Sequence, residues 1–194
     1  MNCSSEDYTA RYYDTIRKKY GAFAKEFVPV LYKLYKPKSV VDIGCGIGLY
    51  LAEFQNLGVR IQGFDFSEDA KSNCAIDPEF FSVVDLIHPI ANSEKFDMCI
   101  CSEVGEHIPD SGADNLIETI EKFSNLIIFS AAHPGQGGTN HVNEKPQEYW
   151  ISKFAGKGYT FQKKNRDDLR KRIAGLKSFR KSNCLYMNLM VFSK

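Results

Sequence analysis

The chain has 194 residues, 43% of them apolar and 25% charged, which is enough for one buried core and excludes a disordered or low-complexity polypeptide. Twenty-five basic against 24 acidic residues leave a formal net charge of +1, far from the strongly basic balance of a generic nucleic-acid binder. The charge is uneven, because Lys163 to Lys181 holds nine basic residues against Asp167 and Asp168, a net of +7 that leaves −6 on the rest.

The start, MNCSSEDYTARYYDTIRKKY, has no apolar core behind a basic cap, so no secretory signal is expected. No apolar run approaches the roughly 20 residues that span a bilayer. Tyr12, Ile16, Tyr20, Phe23 and Phe27 recur at steps of three and four and predict an amphipathic helix. Pro29 is expected to restart it as a short second helix through Leu31 and Leu34, stopping at Lys36-Pro37. Residues 1–36 thus form a helical segment ahead of a sheet core over 37–194, all in a single domain.

Ser39 to Ile43 is a short β-branched run, and Tyr50, Phe54 and Leu57 follow at helical spacing with Gly58 as the cap. Val59 to Phe64 reads as the second strand, with Ser67 as the N-cap of a helix toward Cys74. Phe80 to Val84, Phe96 to Cys101 and Leu126 to Ser130 are three further strands, with a helix over Ala113 to Phe123 between the last two. Beyond the loop His133 to Asn143 come a helix around Trp150, a strand near Tyr159, a basic helix from Arg166 and a last strand from Leu185 to Phe192. Strands alternating with helices predict an α/β fold, a doubly wound and mostly parallel sheet of about seven strands with helices on both faces.

The six cysteines (Cys3, Cys45, Cys74, Cys99, Cys101, Cys184) include no Cys-x-x-Cys pair, so neither a disulfide framework nor a zinc knuckle is expected. Cys99 and Cys101 share one face of a strand as small buried hydrophobes. A reducing, cytoplasmic setting follows.

The segment Val40-Val41-Asp42-Ile43-Gly44-Cys45-Gly46-Ile47-Gly48 places a glycine-rich turn between a strand and a helix. Glycine permits positive φ there and lets a ligand approach the backbone. The dinucleotide fingerprint Gly-x-Gly-x-x-Gly would need glycine where Leu49 stands, so the spacing is instead Gly-x-Gly-x-Gly. Asp65, in Gly63-Phe64-Asp65-Phe66-Ser67, ends the second strand where a carboxylate accepts from ribose hydroxyls in such folds. Asp85-Leu86 ends the third, where an acid can accept a hydrogen bond from an adenine amino group. Each feature alone also fits an ordinary turn or surface acid; all three fall at strand carboxyl ends, where ligands bind in open α/β sheets.

These residues resemble a class I S-adenosylmethionine-dependent methyltransferase: VVDIGCGIG matches its first motif, GFDFS its second, DL at 85–86 its third and CSEVGEHIP its fourth. The resemblance runs over essentially the whole chain and implies a seven-stranded Rossmann-like sheet whose last strand is antiparallel. It places Asp42, Gly44, Cys45 and Gly46 along the methionine half of S-adenosylmethionine, Asp65 on the ribose, and Asp85 and Leu86 on the adenine. Gly48, Phe66 and Ser102 complete the expected cofactor set, with S-adenosylhomocysteine as product.

SEVGEHIP at 102–109 and FSAAHPGQGGTNHVNEKPQEYW at 129–150 are similar to glycan and sugar O-methyltransferases found beside glycosyltransferases in bacteria and large viruses. GLKSFRKSNCLYMNLMVF departs from that group's tryptophan-rich closing segment. The resemblance implies a sugar, glycan or nucleotide-sugar acceptor, and a chain that is part of, or works beside, a glycosyltransferase. A sugar hydroxyl is too weakly acidic to ionise at pH 7, so a general base is useful and histidine suits it. His107, just past the fourth strand beside Glu103 and Glu106, is the expected base, with the two acids orienting it or holding substrate hydroxyls; capping the next helix is the alternative.

His133, Gln136 and His141 in the glycine-rich loop are expected to bind acceptor hydroxyls, and Tyr149 and Trp150 to offer ring faces or to pack the core. His88 is expected to be solvated. No sequence-local ligand spacing supports a metal, and none is predicted, although His107, His133, His141, Glu103 and Glu106 are suitable donors. Rival readings are a small-molecule O- or N-methyltransferase, an RNA methyltransferase using the basic stretch as a phosphate track, and a non-catalytic cofactor-binding module. Nucleic acid ranks low, since no aromatic-interleaved basic pattern is present.

Overall fold

The structure, a computed structural model, describes residues 10–91, 94–180 and 183–194; Cys3, the Tyr12 side chain and Lys181 lie outside what is described. Helix α1 (Ala10–Tyr35) leads into strand β1 (Ser39–Ile43), α2 (Leu49–Asn56), β2 (Arg60–Asp65), α3 (Glu68–Ser72) and β3 (Phe81–Val83). Then follow β4 (Met98–Ser102), α4 (Ala113–Phe123), β5 (Leu126–Ser130), α5 (Gln147–Gly156), β6 (Thr160–Phe161), α6 (Lys163–Ala174), α7 (Cys184–Asn188) and β7 (Met190–Ser193). The strands form one seven-stranded sheet in the order β3-β2-β1-β4-β5-β7-β6. β3, β2, β1, β4 and β5 pair in parallel, whereas β7 lies antiparallel to both β5 and β6.

Strand periodicity divides the core into two layers, because successive side chains leave opposite faces of the sheet. Val40, Met98, Ile100, Ile128 and Val191 face the layer formed by Phe27 and Leu31 of α1, Leu51 and Phe54 of α2, and Leu169 and Ile173 of α6. Val41, Cys99, Cys101, Phe129 and Phe192 face the other layer, formed by Leu116 and Ile120 of α4 and Trp150 and Phe154 of α5. Cys99 and Cys101 are fully buried, the role their spacing predicted.

Three local readings are corrected. Pro29 does not restart a helix, for α1 runs unbroken through it. Pro29 sits on the exposed side, while Phe27, Val28 and Leu31 are fully buried, so tertiary packing outweighs the hydrogen bond that proline forgoes. The last strand does not begin at Leu185: residues 184–188 make one helical turn, which Asn183 caps by accepting the Tyr186 N–H at 2.9 Å, and β7 starts at Met190. The basic helix begins at Lys163 rather than Arg166 and is partly self-neutralised by ion pairs of Arg172 with Asp168 and of Arg166 with Asp167. It packs on β7 and α1, away from the glycine turn. Among the described residues no helix is long and apolar enough to cross a membrane.

Candidate active site

The carboxyl ends of β1, β2, β3 and β4 share one edge of the sheet, and the glycine turn begins there. Gly44, Gly46 and Gly48 have φ of 78°, 53° and 73°, in the left-handed region where a side chain is strained. The N–H groups of Gly44 and Cys45 both donate to Phe64 O, at 2.7 and 3.0 Å, tying the turn to β2. The Gly46 N–H donates to Asp65 Oδ2 at 2.7 Å, and the Ser67 N–H to Asp65 Oδ1 at 3.1 Å. A Cβ on Gly46 would meet nothing within 4 Å and would project into open space, whereas one on Gly44 would strike Val104 Cγ2 at 2.2 Å.

That open space is a cavity of about 510 Å³. Of the expected cofactor residues, Gly44, Gly46, Asp65, Phe66, Asp85 and Leu86 form part of its wall. Phe66 is 49% exposed at the mouth of this wall. Asp42, Cys45, Gly48 and Ser102 are not part of that wall. Burial and the nearby Asp65 charge push the Asp42 carboxyl up to about 8, and burial pushes the Cys45 thiol well above its usual range. Ser102 Oγ is hydrogen-bonded to Ser130 Oγ at 3.1 Å.

Beyond the cofactor end, the tip of β4 adds Glu103 and His107 to the wall. Glu103 has φ of 55°, uncommon for a residue with a side chain, and its N–H donates to Ser130 O and Oγ. Burial, reinforced by His141, lowers the pKa of His107, keeping its imidazole neutral at pH 7. Glu106 is not on the wall. It is fully buried, neither carboxylate oxygen has a hydrogen-bond partner, and burial together with the Glu103 charge raises its carboxyl to about 8.

The expected acceptor residues are placed elsewhere. Trp150 is fully buried against Phe129, and its ring fills the space where a Cβ on Gly105 would sit, so it offers no face to a ligand. Tyr149 donates from its hydroxyl to Asp110 Oδ1 at 2.7 Å on the outer surface. His133 and Gln136 bond to one another and toward Asn188, and His141 is bound to Glu144 at 2.9 Å; none of the three lines the cavity. The wall instead takes Asn140 and Val142 from the same loop, and Tyr13, Ile16 and Tyr20 from α1. Ile16 and Tyr20 belong to the stripe expected at helical spacing and Tyr13 does not; a stripe facing a cavity has the same period as one facing a core.

The His107 and His141 rings lie 5.0 Å apart, and Glu106, His107 and His141 bring one donor atom each within 4.8 Å of one another. Two imidazoles and a carboxylate suit a divalent cation, and a cation or a proton would relieve the unpartnered Glu106. No short motif announced this set because His141 joins it only through the fold.

Sheet order, glycine turn and the acids ending β2 and β3 define an S-adenosylmethionine-dependent methyltransferase, and the open cradle at Gly46 beside Asp65 and Phe66 fits that cofactor. A family model described as a methyltransferase domain matches residues 13–172, and the chain belongs to that family. A ubiquinone biosynthesis O-methyltransferase of Glaesserella parasuis is 34% identical over 84 residues, covering 38% of this chain and 36% of that protein. A second of that name, from Neisseria meningitidis serogroup C, is 25% identical over 139 residues, covering 62% of this chain and 54% of that protein. The chain thus spans about a third to a half of the length of these relatives. The fold is shared with a SAM-dependent methyltransferase from Archaeoglobus fulgidus (TM-score 0.64, 17% identity, 94% of this chain and 100% of that one). It is shared too with magnesium protoporphyrin IX methyltransferase from Synechocystis with bound SAH (TM-score 0.62, 17% identity, 80% and 88%).

Proposed function

We propose that the protein methylates a hydroxyl of a small, largely apolar acceptor, a phenol being the favoured class. The observation that carries this reading is the make-up of the cavity beyond the cofactor residues. Glu103 and His107 are its polar groups at the β4 tip, and around them stand Ile16, Tyr20, Ile108 and Val142. The polar loop residues and aromatic rings expected to grip a sugar are engaged in protein contacts or buried. The relatives named ubiquinone biosynthesis O-methyltransferase support the same reading.

S-adenosylmethionine, when bound, supplies a methyl group already activated on a sulfonium. The protein's part is to align and to move a proton. Gly46 would offer backbone at the turn, Asp65 would accept hydrogen bonds from the ribose, and Asp85 would stand at the adenine end. Alignment of donor and acceptor is worth several kcal/mol, up to ~7–11. A phenol with a pKa near ~10 stays protonated at neutral pH. His107, held neutral, accepts that proton, and Glu103 accepts a hydrogen bond from a second, neighbouring hydroxyl of the acceptor.

A second reading is favoured by one observation, the unpartnered Glu106 carboxylate beside two imidazoles. In it Glu106, His107 and His141 would hold a divalent cation, which would supply Lewis acidity beside the cavity. A chelator separates the two: unchanged turnover removes the cation, whereas loss restored by added magnesium or manganese removes His107 as free base.

The test of the acceptor is a panel of catechol, 3,4-dihydroxybenzoate, a hexose glycoside, a nucleotide sugar and an RNA oligomer, each with S-adenosylmethionine and read by mass. Methylation of the phenols is expected. Methylation confined to the sugars or the RNA overturns the acceptor class.

A further inference from the structure

Asn188 stands 85 residues from Glu103 in sequence, at the end of α7, and is 2% exposed. Its Nδ2 donates to both oxygens of the Glu103 carboxylate, at 3.2 and 3.3 Å, and to Gln136 Oε1 at 2.8 Å. Gln136 Nε2 in turn donates to Glu103 Oε2 at 3.3 Å. His133 Nδ1 lies 3.3 Å from Asn188 Oδ1 and 3.0 Å from Gln136 Oε1, so it engages both amides through their oxygens and competes with neither for the carboxylate. Two amides from two separate elements thus converge on one acid at the cavity wall.

The backbone of Glu103 is constrained as well. Its left-handed φ of 55° is costly for a residue with a side chain, and its N–H is anchored on Ser130. A residue fixed at the backbone and at both carboxylate oxygens cannot change rotamer without breaking several hydrogen bonds. The loop that carries Gln136 is itself tied down, for Glu144 accepts the Gly135 and Gly137 N–H groups at 2.8 and 2.7 Å.

We propose that Asn188 is a positioning residue that, with Gln136, clamps the Glu103 carboxylate in the orientation that receives the acceptor's second hydroxyl. This rests on the reading above, in which Glu103 touches the acceptor. Asn188 itself does not line the cavity. It acts through Glu103, so its loss loosens the acceptor geometry and leaves the cofactor end, built from β1, β2 and β3, as it was. A misplacement of an ångström at a reacting centre is enough to slow transfer about 10²-fold.

Two measurements test the clamp. In the free protein, the Asn188 side-chain amide signals in a 1H–15N spectrum, assigned by their absence in Asn188→Asp, shift when Glu103→Gln is introduced. Signals that stay in place overturn the contact. With 3,4-dihydroxybenzoate as probe, Asn188→Ala lowers kcat about 10²-fold while calorimetric affinity for S-adenosylhomocysteine is retained. Asn188→Asp, which keeps the shape but replaces the donor with a repelling charge, falls at least as far. Wild-type kcat in Asn188→Asp overturns the proposal, as does loss of cofactor affinity in step with kcat. Should the wild-type protein leave this probe unmethylated, the phenol reading fails, and the amide spectrum alone decides the clamp.

Discussion

Asp65 Oδ2 accepts the Gly46 N–H at 2.7 Å, joining the carboxyl end of β2 to the glycine turn that follows β1. The contact shapes the cofactor cradle before any ligand arrives, since both residues stand on the cavity wall. Asp65→Ala removes that brace and, on the reading proposed above, the acceptor for the ribose hydroxyls. Hydrogen bonds to a charged group contribute about 1.5–3 kcal/mol, so affinity for S-adenosylhomocysteine falls about 10–100-fold. Calorimetry reads it, and undiminished affinity would place the ribose elsewhere.

Gly105 meets Trp150 across the second core layer. A Cβ on Gly105 would lie 2.6 and 2.7 Å from Trp150 Cζ2 and Cη2 and 3.1 Å from Ala131 Cβ, in a fully buried setting where little can give way. Overpacking of this kind costs about 1–3 kcal/mol. At roughly 2–4 °C per kcal/mol for a chain this long, Gly105→Ala lowers Tm by about 2–12 °C. An unchanged Tm would mean that the indole is free to move.

Asp42 makes stability depend on pH. Its folded pKa, raised to about 8 by burial and by Asp65, exceeds the unfolded value of 3.8, so the folded state retains a proton the unfolded state has lost. Stability from this group is therefore full in acid and is lost as pH rises toward 8, by at most about 1.4 kcal/mol per pH unit. Cys45, Tyr50, Cys99 and Cys101 also feel Asp42, and all four are held protonated by burial, so the neighbouring charge is that of Asp65. Tm measured from pH 5 to 8.5 falls in the wild-type protein and falls less in Asp42→Asn. Glu106, also raised to about 8, keeps part of the slope in the variant.

His107→Ala should reduce kcat for the methylated acceptor about 10²–10⁴-fold, the usual worth of a general base, with affinity for S-adenosylhomocysteine unchanged. Full turnover in that variant would move the base away from the β4 tip.

The residues that anticipated their own placement are those governed by near neighbours. The bounds of β1, α4 and β5 agree with the β-branched run at 39–43, the helical period over 113–123 and the apolar run at 126–130. Six of the expected cofactor residues reached one cavity wall because each ends a strand or lies within three residues of its end, and parallel strands end on the same edge. The segment 184–188 escaped such reading because Cys-Leu-Tyr-Met-Asn suits a strand or a helical turn equally, and one cap at Asn183 tips it.

The acceptor end belongs to the fold alone. Trp150 has the same chemistry whether it faces a ligand or Phe129, and only the closing of α5 onto β5 chose the core. Histidines and amides of the loop 133–144 look available in one dimension, yet chain closure spends His141 on Glu144 and Gln136 on Glu103 and Asn188. Local pattern carries the cofactor half because it is built from consecutive residues. The acceptor half is built from side chains tens of residues apart, and their hydrogen bonds exist only once β4, β5 and β7 lie side by side.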